Sequence, residues 1–115
     1  MRFLRVYFAV FISLGALLSC SEFLTPQGVI SAPYNGQTVR GIQTILVTPP
    51  DTMLVDSVYI YINFQFETLM TTSPYQYEWD TRLLTNGWCY ISVEVNDQLG
   101  GLPVTDVIQV KVDNI

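Results

Sequence analysis

Two cysteines, ten carboxylates and no histidine bound the chemistry open to this chain. Nucleophilic catalysis needs a nucleophile beside a base, most often histidine, and none is available. Cys89 shares the parity of Ile91, Val93 and Val95, so it should face a core, where a thiol is inert. An intermolecular disulfide would need an exposure that this alternation denies. Glu78 and Asp80 can be posed as a general acid and base. A glycosidase, however, holds its two carboxylates across a pocket. These two sit on a strand edge running into a turn, where solvated surface is the simpler reading. Trp79, between them, belongs with Tyr75 and Tyr77 on a core-packing strand face.

Asp51, Asp56, Asp97 and Asp106 are weak candidates for a metal site. In a sandwich the loops around 49–56 and 97–104 leave the same end, and Ca²⁺ takes six to eight oxygens. The alternative is that Asp51 and Asp97 close turns through side-chain bonds to the backbone. No loop has EF-hand spacing, so no metal and no cofactor is expected beyond a covalent lipid at Cys20, argued below. The better interaction candidate is aromatic. If the strands around Val58 and Ile91 are neighbours, Tyr59, Tyr61 and Tyr90 share one outward face, flanked by Gln109 and Lys111, with Phe64 and Phe66 beside this face or at its edge. Aromatics with polar tips suit binding of proteins or sugar rings. They also serve as cross-strand pairs that stabilise a sheet.

The elements that position these residues are strands. Val29-Ile30-Ser31 begins the series, and Ala32 to Gly36 is a turn in which Asn35-Gly36 supplies positive φ. Gly41 to Thr48 alternates Ile42, Thr44 and Leu46 against Gln43, Ile45 and Val47. Val55 to Phe66 reads as one long strand, with Val58, Ile60 and Ile62 opposite Tyr59, Tyr61 and Asn63. Leu69 to Thr72 and Tyr75 to Trp79 are short strands around Ser73-Pro74. After Asn86-Gly87, Trp88 to Asn96 sets Cys89, Ile91, Val93 and Val95 against Tyr90, Ser92, Glu94 and Asn96. Thr105 to Asp113 closes with Ile108, Val110 and Val112 against Val107, Gln109 and Lys111. Period-2 alternation with frequent turn signals predicts an all-β antiparallel sandwich of about seven strands, each sheet with one dry and one wet face.

The N-terminus has a different character. Arg2 and Arg5 precede an apolar run, Val6 to Leu18, of about 13 residues, within the range of export signals and short of the ~20 that span a bilayer. Leu17-Leu18-Ser19-Cys20 resembles the lipobox of bacterial lipoproteins. That resemblance implies cleavage before Cys20 and a diacylglycerol on its thiol, with several acyl chains giving stable anchoring; an ordinary secretory signal with an incidental Cys is the alternative. The expected organisation is a signal peptide over 1–19, a tether over 20–28 and a domain over 29–115. The tether, extended, reaches under about 30 Å. Ser21-Glu22 places no Asp after Cys20, which by resemblance favours the outer over the inner membrane of the cell envelope.

The whole chain carries a net charge of −5. Loss of Arg2 and Arg5 with the signal would take it to about −7, against the clustered cations that nucleic acid requires. With Cys20 acylated, Cys89 has no internal partner, so packing alone must hold the domain.

Several segments resemble bacterial Ig-like domains: Val29 to Pro33, then Asn35 to Val39 and Gly41; Asp56 to Ile62; Ser73 to Thr81 with Leu84 to Gly87; and Ile91 to Asp97 followed by Gly100-Gly101 and the last strand. The family's usual Asp-Gly after the central strand stands here as Asn63-Phe64. The resemblance implies a seven-strand, two-sheet sandwich without shared catalytic residues. The expected function is a non-catalytic, lipid-anchored envelope module docking to a partner protein or complex. The rivals are a glycan-binding module using the tyrosine face and a Ca²⁺-dependent adhesion domain. Fold alone does not decide among them.

Overall fold

The computed structural model describes residues 28–115. The expected signal peptide (1–19), lipidation at Cys20 and all of the tether but Gly28 lie outside the described residues. Eight strands are present among them: β1 (Ile30–Ala32), β2 (Thr38–Val39), β3 (Ile42–Val47), β4 (Val55–Ile62), β5 (Gln65–Met70), β6 (Tyr75–Asp80), β7 (Gly87–Asp97) and β8 (Val104–Val112), with one 3₁₀ turn at Thr81–Leu83. They form a sandwich of two sheets, ordered β1-β3-β6 and β2-β8-β7-β4-β5. All pairs are antiparallel except β2 with β8, where Thr38 and Val39 run parallel to Lys111 and Val112.

The alternation in the sequence accounts for the layers. Ile45 and Val47 of one sheet meet Val58, Ile60, Ile91, Val93, Val95, Val110 and Val112 of the other, all buried, with Trp79 and Cys89 in the same core. β-Branched side chains predominate, which suits packed strands. Removing most of one such side chain, as in Ile91→Ala, costs about 2–5 kcal/mol.

The sequence expectation fails most plainly over 55–72, where Leu69 to Thr72 is no separate strand; Thr38–Val39 is an additional one. Val55 to Phe66 is a hairpin, not one strand: β4 ends at Ile62 and β5 begins at Gln65. Asn63 (φ 50°) and Phe64 (φ 64°) make the turn, both in the left-handed region that a type I′ hairpin requires. Phe64 keeps alternation from showing this turn, because a bulky residue is disfavoured there; the family's Asp-Gly at these two positions is the one signal for it.

The two ends of the sandwich differ. The chain enters at Gly28 beside the β3–β4 and β7–β8 loops, since Ile30 faces Val47, Val55 faces Asp97, and Val95 faces Val104. The opposite end carries the Asn63-Phe64 turn, the 3₁₀ turn and a polar seal. In that seal Asn114 Oδ1 accepts from the Gly41 N–H (2.8 Å), and Asn114 Nδ2 donates to the Thr81 carbonyl (3.1 Å). The fully buried Thr81 hydroxyl donates to the Gly41 carbonyl at 2.7 Å.

Candidate functional site

The outward face of the five-stranded sheet gathers the aromatic side chains. Cross-strand register explains why. Tyr59 faces Leu69 on β5 and Glu94 on β7; Tyr61 faces Phe66 and Ser92. Tyr90 faces Gln109, Trp88 faces Lys111, and Ser92 faces Val107. The five residues singled out in the sequence, Tyr59, Tyr61, Tyr90, Gln109 and Lys111, thus lie on one face. Phe64, Phe66, Leu69, Trp88 and Val107 extend it. Trp88 and Val107 could have been found from parity, which they share with Tyr90 and Gln109. Phe64 and Phe66 were expected beside this face or at its edge; Leu69 was not, because alternation alone did not show the hairpin that brings β5 beside β4.

The rings interlock in two groups. Tyr59 and Tyr61 lie 6.4 Å apart and nearly parallel (15°), and Phe66 meets both edge-on at 6.2 and 6.3 Å. Phe64 sits over Tyr90 at 5.2 Å. The Asn63 side chain accepts from the Tyr90 N–H (2.9 Å), and the Asn63 N–H donates to the Tyr90 carbonyl (2.8 Å). The turn is therefore clamped to the strand whose ring it covers. Behind Gln109, the Asn35 side chain accepts from the Gln109 N–H at 2.9 Å and the Gly36 N–H donates to its carbonyl at 2.7 Å. Phe64, Phe66 and Trp88 remain 63%, 61% and 58% exposed. Isolated exposed apolar residues are ordinary, but a contiguous patch marks an interaction surface.

The other candidates have local partners. Glu78 accepts from the Thr44 hydroxyl (2.9 Å). Asp80 caps the 3₁₀ turn and takes two bonds from Arg82 (2.8 and 3.0 Å), which hold its carboxyl below the usual carboxylate range. Asp97 accepts from the Leu99 N–H at 3.0 Å, the turn-closing role weighed above. Asp106 points inward, 7% exposed, and accepts from the Ile30 N–H at 3.0 Å. Among the described residues no three acidic, thiol or imidazole groups come close enough to hold a metal ion, so Asp51, Asp56, Asp97 and Asp106 are not brought together. Cys89 is buried, and burial pushes its thiol pKa up.

Comparison with known proteins bears on fold and family. The fibronectin(III)-like modules of Clostridium thermocellum CbhA superpose with a TM-score of 0.61 at 22% identity, covering 74% of this chain and 94% of that one. The endo-beta-1,4-mannanase from Thermotoga petrophila gives 0.58 at 16% identity over 73% of this chain, and this chain spans only 19% of the mannanase. At these identities the likeness is one of fold. No curated protein matches the chain. The family model for the bacterial Ig domain matches residues 26–102. Taken with the two-sheet sandwich, that match shows that this chain belongs to the bacterial Ig domain family.

Proposed function

We propose that this chain is a non-catalytic interaction module of the bacterial cell envelope, anchored by lipid on Cys20, that docks a partner protein through the aromatic face of its five-stranded sheet. The observation that carries this reading is Phe64. A left-handed non-glycine residue costs of order 1–3 kcal/mol and tends to persist at functional sites. Here it presents an exposed ring beside Tyr90. Rigid aromatics with polar rims are the anchors of protein interfaces. The absence of histidine and the local bonding of Glu78, Asp80 and Asp97 support a non-catalytic role.

The test is site-specific photo-crosslinking in cells that make the full chain. A crosslinker at position 88 should yield a discrete protein adduct, lost in the Phe64→Gly and Tyr90→Ala backgrounds. A crosslinker at position 76, on the other sheet, should yield none. Equal adducts from both faces, or none from either, would overturn the reading. A glycan is the second reading, favoured by the near-parallel Tyr59 and Tyr61 rings, whose hydroxyls could bond sugar rims. Glycan binding that vanishes in the Tyr59→Ala, Tyr61→Ala double variant, without a protein adduct, would replace the first reading with this one.

A further inference from the structure

The end of the sandwich where the chain enters exposes three leucines among the polar residues of its loops. The Val29 carbonyl accepts from the Thr48 N–H at 2.7 Å, and the Ile30 N–H donates to Asp106 at 3.0 Å. These bonds fix the first described residues beside the start of β8. The β7–β8 loop, immediately before β8, presents Leu99 and Leu102, 78% and 91% exposed. The β3–β4 loop presents Leu54, 55% exposed. Both loops are held in place: the Gln98 N–H donates to the Leu54 carbonyl (2.8 Å), and Gln98 Nε2 donates to the Val55 carbonyl (3.0 Å). Leu54 and Leu99 therefore project from backbone that is pinned, with Leu102 on the same loop as Leu99, at the end from which the chain leads back to Cys20.

We propose that Leu54, Leu99 and Leu102 seat the domain on the lipid surface to which Cys20 tethers it, an inference that rests on the lipid-anchor reading above. The segment from Cys20 to Gln27 spans at most about 29 Å when extended. So short a tether keeps the loops at high effective concentration over the bilayer, and shallow insertion of a few apolar side chains then suffices to orient the domain. Charge selects the kind of surface. Asp51 and Asp97 flank the leucines, while Arg40, Arg82 and Lys111 lie toward the opposite end, beside β2, the 3₁₀ turn and the end of β8. This end fits zwitterionic lipid better than anionic lipid. Seated this way, the sandwich holds Phe64 and Trp88 at its far end, away from the bilayer.

The test uses the full chain purified from membranes, with Cys20 acylation read by mass spectrometry, in phosphatidylcholine vesicles containing a lipid-borne spin quencher. Leu102→Cys takes an environment-sensitive maleimide dye; buried Cys89 does not compete. Leu83→Cys, exposed at the opposite end, takes the same dye as the comparison. The expected result is roughly twofold or greater quenching at 102 and little at 83, with the effect at 102 lost in a Leu54→Asn, Leu99→Asn background. An acylated chain with neither dye quenched, or both quenched alike, overturns the seating and leaves the anchor standing. An unmodified Cys20 overturns the anchor and the seating together.

Discussion

The Phe64 ring lies 5.2 Å from the ring of Tyr90, with 33° between their planes. Asn63, next to it, bonds both backbone groups of Tyr90. The turn is thus built so that its second residue covers the aromatic on β7, the strand paired with β4. Two forces oppose each other there. Left-handed backbone disfavours phenylalanine, and the ring contact favours it.

Magnitudes decide which force wins in Phe64→Gly. Relief of strain is worth about 1–3 kcal/mol, and Asn-Gly is the preferred type I′ pair. The lost ring pair is worth about 0.5–1.5 kcal/mol. The variant should therefore be more stable, by about 0.5–1 kcal/mol in urea unfolding, while losing partner adducts. A loss of stability would show that Phe64 is retained for the ring contact, not for binding.

Asn114→Ala should be among the most damaging polar substitutions. It strips the Gly41 N–H of its acceptor and takes one of two donors from the Thr81 carbonyl, which keeps the Leu84 N–H, beside a fully buried Thr81. Each buried polar group left unpaired costs about 1–3 kcal/mol. A shift in the chemical-denaturation midpoint equivalent to ~1–3 kcal/mol is expected, against less than 1 for a solvent-facing substitution such as Gln76→Ala. A midpoint no different from that of Gln76→Ala would mean that water replaces the seal.

Much of the core was legible from alternation. Cys89, Ile91, Val93 and Val95 all face inward, as their parity requires. Two features were not legible, for physical reasons. Asp106 shares the inward parity of Ile108 and Val110, yet nothing local announces a buried carboxylate. Its partner is the Ile30 N–H, 76 positions away in sequence. The β4–β5 turn did not show in the alternation, because Phe64 occupies a backbone region that favours glycine or asparagine; only the family's Asp-Gly at these positions pointed to it. Without that turn Phe66 could be placed only beside the aromatic face or at its edge, not opposite Tyr61, and Leu69 not at all. Trp88 was readable from parity with Tyr90, since both flank Cys89 on the opposite side of the strand.

Cys89 should be silent to thiol reagents in the native fold. It is 2% exposed, and burial raises its thiol pKa, so little thiolate exists to react. Maleimide at neutral pH should leave Cys89 unlabelled in the folded chain and modify it readily in concentrated urea. Labelling at comparable rates in both would place the thiol outside the core.

The Tyr77 hydroxyl donates to a Glu67 carboxylate oxygen at 2.6 Å, joining β6 of one sheet to β5 of the other. The Glu67 hydrogen bond is the main reason that the phenol pKa is pushed up to about 12, with burial second. A folded pKa above the unfolded value of about 10 means that the unfolded chain loses this proton first. The bond's stabilisation is therefore fully present below pH 10 and declines as pH rises from 10 through 12. Denaturation midpoints should fall across that window in the native chain. Tyr77→Phe should start lower, because the bond is absent, and should fall less steeply there. Parallel pH profiles for the two would mean that the Tyr77–Glu67 bond contributes nothing to holding the sheets together.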